Sequence, residues 1–144
     1  MMMGEMRPGR TLGPGHDDFW NWCGKDELRV QSCEACAKLL WPVMDACDAC
    51  GGTTFTWKRL SGRGRLVSWA TFVQDYYKGI VPMPYDTILV ELEEGLMFIS
   101  NPSGFGVREC VTGLAVELTF LDCKDDAGTY RLPVFRKSDG VPGQ

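Results

Sequence analysis

The chain has 144 residues and a formal net charge of −4 at pH 7, with 44% apolar residues that include seven Phe, five Trp and four Tyr, so wholesale disorder is excluded. The acidic balance argues against a surface that tracks nucleic-acid phosphates. Because residues 1–15 lack the apolar stretch of a secretory signal and no run approaches the roughly eighteen apolar residues of a membrane span, we expect a globular, cytoplasmic protein.

Both ends of the chain read as flexible tails. Residues 1–16 are rich in Met, Gly, Pro and Arg without periodicity, and residues 138–144 are also rich in small and polar types. The sole histidine, His16, stands at the end of the first tail. Neither segment offers an apolar face that could hold it to a core.

The first structured element that we predict is a helical segment at residues 17–30. Asp17 is a candidate N-cap, and Phe19, Trp20 and Leu28 are apolar anchors at roughly helical spacing. So short a helix is marginal on its own. We therefore expect its aromatic side chains to pack on the rest of the chain or on a partner.

Four cysteines dominate the next segment, residues 31–60. They are arranged as Cys33-x2-Cys36, ten residues, and Cys47-x2-Cys50. Each Cys-x-x-Cys turn aims two sulfurs at one point, and two such turns supply the four thiolates of a closed structural zinc site. With strands expected at 38–42 and 53–60, this pattern predicts a zinc ribbon.

The cysteine pattern leaves some alternatives open. An iron ion in a tetrahedral site would use the same four sulfur ligands as zinc. The other interpretation of the pattern is four cysteines that are buried or disulfide-bonded and hold no metal. Zinc is preferred because no other redox feature accompanies the pattern. Ala37 follows Cys36 where glycine would adopt the turn more easily, so we expect strain in the first turn. The remaining cysteines, Cys23, Cys110 and Cys123, are interpreted as packing residues rather than reactive thiols.

From residue 61 to residue 137 the apolar pattern changes to the period of two that is typical of strands. The Glu93-Glu94-Gly95 sequence predicts a tight hairpin. Five strands with one wider connection fit a small OB-type barrel better than a sandwich. The fold class is therefore mainly β: a short N-terminal helix, a zinc ribbon and a five-stranded OB barrel. The predicted barrel strands are 65–73, 87–93, 96–100, 114–121 and 130–136.

A basic patch lies at the junction of the ribbon and the barrel. Arg59, Arg63 and Arg65, with Lys58, are interleaved with glycines and could receive phosphates, such as those of coenzyme A, or carboxylates of a partner. An ordinary solvated turn is an equally good interpretation, since no phosphate-loop pattern is present.

The segment from residue 76 to residue 85 is an apolar, proline-stiffened loop with three tyrosines, Tyr76, Tyr77 and Tyr85. Rigid side chains lower the ordering cost of an interface, so the loop is a candidate docking or ligand-covering segment. The alternative is that it caps the barrel.

The sequence offers little for catalysis. His16 has no Ser or Cys partner in any recognisable pattern, and Asp125-Asp126 fits a solvated turn better than an acid/base pair. We predict no catalytic residue and a protein that is not itself an enzyme.

Several motifs in a fixed order resemble the bacterial and archaeal family catalogued as domain of unknown function 35. The likeness extends from about residue 17 to residue 136. It includes Asp18-Phe19-Trp20, the second cysteine turn with Gly51-Gly52, and Val90-Glu91-Leu92-Glu93-Glu94-Gly95, together with residues 27–33, 60–68, 84–85, 113–116 and 132–135.

This resemblance implies a helical segment, a rubredoxin-like zinc ribbon and an OB fold in an accessory subunit of acyl-CoA metabolism. The implied partner is a thiolase-superfamily enzyme (an acyltransferase, a thiolase or a steroid side-chain aldolase) or a hydratase, in a hetero-oligomer. Structural Zn²⁺ on Cys33, Cys36, Cys47 and Cys50 is the implied cofactor, and coenzyme A comes with the partner's substrate. The alternative function is single-stranded nucleic-acid binding, which ribbons and OB barrels also serve.

Overall fold

The computed structural model describes residues 5–7, 9–74 and 84–138. It is mainly β, as predicted, and has a single short α-helix within these ranges. None of the helices in the described residues has the length and apolar character needed to cross a membrane. The elements are β1 (Glu5–Met6), α1 (His16–Cys23), β2 (Arg29–Cys33), β3 (Leu39–Leu40), β4 (Phe55–Arg59), β5 (Arg63–Phe72), β6 (Tyr85–Leu92), β7 (Met97–Ser100), a 3₁₀ turn (Val107–Glu109), β8 (Ala115–Asp125) and β9 (Gly128–Lys137).

Helix α1 is shorter than the predicted segment and begins differently. Gly15 occupies the cap position with φ of 80°, whereas Asp17 lies inside the first turn and accepts a hydrogen bond from the Gly13 N–H at 3.0 Å. The prediction of Asp17 as N-cap is therefore wrong, because glycine takes the left-handed cap conformation at no steric cost. The helix ends at Gly24, and Leu28 is buried beyond it rather than on it.

The ribbon is a three-stranded antiparallel sheet in the order β3-β2-β4. Its central strand contributes Val30 to the main core and Cys33 to a second, small cluster with Leu40 and Cys47. Gln31 is buried, and its amide exchanges two hydrogen bonds with the Met44 backbone, at 2.9 and 2.8 Å. A buried polar side chain satisfied in this way fixes the loop after β3 to the middle of the sheet.

Strands β5 to β9 form the barrel, in the spatial order β7-β6-β5-β8-β9. The two ends of this order meet through a parallel bridge between Pro102 and Phe135. There the Ser103 N–H donates to the Phe135 carbonyl at 2.8 Å, and the Phe135 N–H donates to the Asn101 carbonyl at 3.2 Å. This nearly closed Greek-key arrangement of five strands confirms the predicted OB barrel.

A line of aromatic rings joins helix, ribbon and barrel. The Trp41 ring, on the ribbon loop, lies 4.6 Å from the Phe19 ring of α1 and 5.1 Å from the Phe98 ring of β7, measured between centroids. Phe98 in turn meets Phe135 of β9 at 6.2 Å. Aromatic pairs at such spacings stabilise beyond their buried area, so the three parts share one core. An apolar cleft of about 300 Å³ opens beside these rings.

The N-terminal segment differs from the predicted tail. Strand β1 pairs in parallel with β8, and the Arg7 N–H donates to the Lys124 carbonyl at 3.0 Å. Further along, the Trp20 indole N–H donates to the Thr11 carbonyl at 3.2 Å. Residues 5–7 and 9–15 therefore lie along the barrel and helix. At the other end, the Ser138 N–H donates to the Ala115 carbonyl at 3.0 Å, and the remainder of the predicted tail lies outside the described residues.

One ion pair anchors this N-terminal segment. Arg10 donates to both carboxylate oxygens of Asp125, at 2.8 and 3.2 Å, and the Asp125 side chain is only 1% exposed. The guanidinium carbon also lies 4.2 Å from the centre of the Tyr130 ring. The hydrogen bonds from Arg10 lower the pKa of Asp125 to about 2. Asp125 is thus not the solvated turn residue that we predicted, because its charge is neutralised by a residue 115 positions away.

The ion pair predicts an acid-sensitive contribution to stability. The folded-state pKa of Asp125 lies below its ordinary value, so the contribution is present at neutral pH and is lost as pH falls from about 4 to about 2. We expect Asp125→Asn to lower the free energy of unfolding by about 2 kcal/mol at pH 7 and by about half of that at pH 3. Urea denaturation of both proteins across this pH range measures the difference. Asp126→Asn, at the exposed neighbour, is the control, and a pH-independent loss in Asp125→Asn would contradict the assignment.

Candidate metal centre

The first cysteine turn is closed by two backbone hydrogen bonds. The Ala37 N–H donates to the Cys33 carbonyl at 2.7 Å, and the Cys33 N–H donates to the Lys38 carbonyl at 2.9 Å. Ala37 has φ of 65°, the left-handed conformation that costs a residue with a Cβ roughly 1–2 kcal/mol. The strain expected at this position is therefore present.

The second cysteine turn repeats the same pattern. The Gly51 N–H donates to the Cys47 carbonyl at 2.8 Å, and the Cys47 N–H donates to the Gly52 carbonyl at 2.8 Å. Gly51 takes the left-handed position with φ of 79° and, being glycine, without strain. Two equivalent turns thus present their cysteines to each other from opposite sides.

The four sulfurs converge on one point. All four lie within 4.8 Å of one another, with 3.5 Å between the Sγ atoms of Cys33 and Cys50 and 3.7 Å between those of Cys36 and Cys47. A tetrahedral ion bound at about 2.3 Å from each sulfur requires sulfurs about 3.8 Å apart. The donor set and its spacing therefore fit a tetrahedral thiolate-bound metal ion such as zinc.

A backbone N–H favours the thiolate form of Cys47. The Ala49 N–H points at the Sγ atom of Cys47 at 3.4 Å and lowers the pKa of that thiol to about 7. Because four cysteine ligands complete a tetrahedral shell, a metal held here would have no position for water or substrate. Its chemistry would be to cross-link the two turns, with Cys33 and Cys47 on the buried side and Cys36 and Cys50 at the surface.

The three other cysteines are buried packing residues. Cys23 and Cys123 are fully buried and Cys110 nearly so. Burial raises the pKa of Cys23 to about 12 and also raises the pKa of Cys110. Neither thiol ionises readily at neutral pH, as expected for small core residues.

The arginines singled out in the sequence have different partners. Arg63 donates to both carboxylate oxygens of Glu93, at 2.7 and 3.1 Å, and Arg65 donates to the Gly113 carbonyl at 3.3 Å. Arg59 is exposed and lies 4.0 Å from the nearest carboxylate oxygen of Glu27. Arg63 lines one groove with Arg59 and another with Arg65, and the role of all three as ligand contacts stays a prediction.

The tyrosine loop is described only at its end. Tyr76 and Tyr77 lie outside the described residues. Tyr85 begins β6, where its hydroxyl accepts a hydrogen bond from Arg7 at 2.9 Å and its ring stacks on Phe72 with centroids 6.1 Å apart. Tyr85 therefore helps to hold the N-terminal segment. The spacing of residues in the sequence could not predict this contact.

Comparison with known proteins gives two curated relatives, and no family model matches the chain. Over 119 residues it is 30% identical to a probable enoyl-CoA hydratase alpha subunit from Thermomonospora curvata, a match that covers 82% of this chain and 36% of that protein. Over 86 residues it is 31% identical to a DUF35 domain-containing scaffold protein from Pyrococcus furiosus, which covers 56% of this chain and 59% of that protein. The chain thus matches less than two thirds of the length of either relative.

Two solved structures have the same fold. A chain of the structure described as the Ltp2-ChsH2(DUF35) aldolase superposes with a TM-score of 0.78 and 26% identity, covering 90% of this chain and 98% of that one. A DUF35 protein of unknown function from Sulfolobus solfataricus superposes with a TM-score of 0.56 and 14% identity, covering 74% and 78%. At that identity the second likeness concerns the fold alone.

The left-handed conformation of Ala37 predicts a stabilising substitution. Ala37→Gly should raise the free energy of unfolding by about 1 kcal/mol, because relief of the Cβ strain exceeds the extra freedom of glycine in the unfolded chain. Guanidinium denaturation at a fixed excess of zinc measures the change. Ala49→Gly, within the unstrained second turn, is the matched control and should destabilise. A loss of stability in Ala37→Gly would contradict the strain.

The sulfur cluster predicts one metal ion per chain. Protein purified from zinc-containing medium should hold one equivalent of zinc by elemental analysis, and the cobalt-substituted protein should show the absorption of tetrahedral thiolate coordination. Cys47→Ser should lose the metal and the ribbon's folded NMR signals, whereas Cys110→Ser should keep both. A colourless, metal-free protein that stays fully folded in the presence of a strong chelator would contradict the metal site. Stoichiometric iron in the purified protein would identify the bound ion as iron instead of zinc.

Proposed function

The chain belongs to the DUF35 family, and from this membership we propose that it is a non-catalytic, zinc-binding accessory subunit of an enzyme complex that acts on acyl-CoA substrates. The partner that we propose is a thiolase-superfamily enzyme, such as an acyltransferase, a thiolase or a steroid side-chain aldolase. The partner supplies the catalytic groups, and this chain supplies a rigid docking piece.

The likeness to the DUF35 chain of the Ltp2-ChsH2 aldolase is the single observation that carries the proposal. It includes nearly the whole of that chain and 90% of this one, so helix, ribbon and barrel all have counterparts there. The Pyrococcus relative is named a scaffold protein, which is the same kind of role. The Thermomonospora relative is named a hydratase subunit, and this favours a hydratase as a further partner.

The geometry of the described residues agrees with a supporting role. A four-sulfur site has no open coordination position, and the carboxylate of Asp125 is neutralised by Arg10 instead of facing a cleft. On the outward face of β7, Ile99 is 73% exposed and Met97 47% exposed. Exposed aliphatic side chains, of which Ile99 also lines the apolar cleft, suit a protein that functions within a complex.

The nucleic-acid alternative receives less support. It requires a basic groove with exposed stacking aromatics. Arg63, the first residue of β5, is neutralised by Glu93, and the chain as a whole is acidic. No observation on the described residues favours this function over the accessory one.

The proposal predicts that complex formation depends on the ribbon. We expect tagged protein, co-expressed with its thiolase-fold partner from the same source, to co-purify with that enzyme in a fixed ratio. Alone it should turn over no acyl-CoA, while the complex should. Cys47→Ser should abolish co-purification, because the ribbon unfolds without its metal, and Cys110→Ser should retain it.

Three results would count against the proposal. The first is a thiolase-fold enzyme that passes through unbound under conditions in which both proteins are folded. The second is acyl-CoA turnover by the isolated chain. The third is binding of a single-stranded oligonucleotide that weakens steeply with salt, which would favour the alternative function.

A further inference from the structure

An ion pair joins the two cysteine turns at the surface of the ribbon. Lys38 directly follows Ala37 of the first turn, and Asp48 lies inside the second turn, between Cys47 and Cys50. The Lys38 ammonium donates to the Oδ1 atom of Asp48 at 2.7 Å. Among the side-chain hydrogen bonds of the described residues, this is the one that joins the two turns without using a sulfur atom.

The backbones on both sides of the ion pair are already fixed by the turns. The Lys38 carbonyl accepts from the Cys33 N–H at 2.9 Å. Asp48 is followed by Ala49, whose N–H points at the Sγ atom of Cys47 at 3.4 Å. Only the two side chains have to be ordered for the ion pair to form. Its entropic cost is therefore lower than that of a pair between two mobile segments.

The ion pair lies beside the sulfur cluster, on its solvent side. Lys38 comes two residues after Cys36 and Asp48 directly follows Cys47, and the Sγ atoms of these two cysteines are 3.7 Å apart. The side chains of Lys38 and Asp48 are about half exposed, and Cys36 is exposed as well. The ion pair therefore spans the same two turns as this pair of sulfurs, at the face from which water or a chelator approaches.

A second connection between the turns affects how a bound ion is lost. Release from four sulfurs requires the ligands to detach in succession, and the two turns must separate before the last of them lets go. While another contact still holds the turns together, a detached sulfur stays close to the ion and at a high effective concentration. Rebinding of that sulfur then competes with release.

We propose that the ion pair of Lys38 and Asp48 is a tether that slows metal loss from the four-cysteine site. Both are positioning residues, because they hold the two turns together and contribute no metal ligand. The inference rests on the zinc ion of the proposed function and adds the means by which this chain retains it. Exposed ion pairs change an equilibrium by up to about fivefold, so we expect an effect of about threefold on the release rate.

Metal release into a chelator tests the tether. Cobalt-loaded protein is mixed with EDTA, at a concentration above which the rate no longer rises, and loss of the thiolate–cobalt absorption is followed. Lys38→Met should release cobalt about threefold faster than the wild-type chain. Lys58→Met makes the same change on an exposed residue of β4 and should leave the rate unchanged. Equal rates for Lys38→Met and the wild-type chain would overturn the proposal.

The carboxylate partner separates a tether from a simple charge effect. The Lys38 ammonium also interacts electrostatically with Cys47 and Cys36, so its charge alone would favour their thiolate forms. A tether predicts that Asp48→Asn speeds release as much as Lys38→Met does, whereas charge alone predicts slower release, because a negative charge has been removed. Asp45→Asn, at an exposed acidic residue before the same turn, should not speed release. Unchanged or slower release in Asp48→Asn would overturn the tether.

The double variant shows whether the two residues act as a pair. Lys38→Met combined with Asp48→Asn should release cobalt at the rate of either single variant, because each substitution alone already removes the tether. An increase of about ninefold, the product of two independent effects, would contradict the pairing. A concentration of about 1 M KCl should also bring the wild-type rate close to that of the variants.

The outcomes for the tether and for the proposed function can be told apart. A chain that takes up neither zinc nor cobalt would overturn the metal site of the proposed function and the tether with it. A chain that binds metal but releases it equally fast with and without Lys38 would overturn the tether alone. Co-purification with a thiolase-fold enzyme decides the accessory role independently of either result.

Discussion

The convergence of four sulfurs on one point is the constraint on which the rest of this structure depends. A ribbon of some thirty residues, with strands of two to five residues, buries too little apolar surface to fold by packing alone. Within the described residues, the buried cluster that belongs to the ribbon alone contains two of the four cysteines, Cys33 and Cys47, with Leu40. A metal bound by the four cysteines would replace the missing core by joining two turns that are each already shaped by their own backbone hydrogen bonds.

Aromatic side chains connect the rigid ribbon to the barrel. The loop that follows β3 is held by Gln31 and carries Trp41 between Phe19 and Phe98. Helix, ribbon and barrel thereby contribute to one hydrophobic core, and the N-terminal segment is fastened across it by Arg10 and Asp125. A small chain built in this way presents its surfaces in fixed relative positions, which is the property that an accessory subunit needs.

The same features explain why the molecule suits support better than catalysis. Four cysteine ligands would leave no open position on a bound metal, the other thiols are buried, and Arg63 and Arg131 are paired with carboxylates. What remains available within the described residues is surface, such as the exposed aliphatic side chains on β7. Surface of this kind is recognised by other proteins rather than by small reactive substrates.

The sequence by itself determined what depends on local spacing. Two Cys-x-x-Cys turns, strands of period two and a residue with a Cβ after Cys36 each act over a few positions, so the cluster of four cysteines, the barrel strands and the strain at Ala37 were all predictable. Only the tertiary structure decided which distant residues meet: Arg10 with Asp125, Trp41 with Phe98, and each arginine with its carboxylate. Such pairs depend on how complete elements pack, and nothing in the sequence near Arg10 distinguishes it from a residue of a free tail.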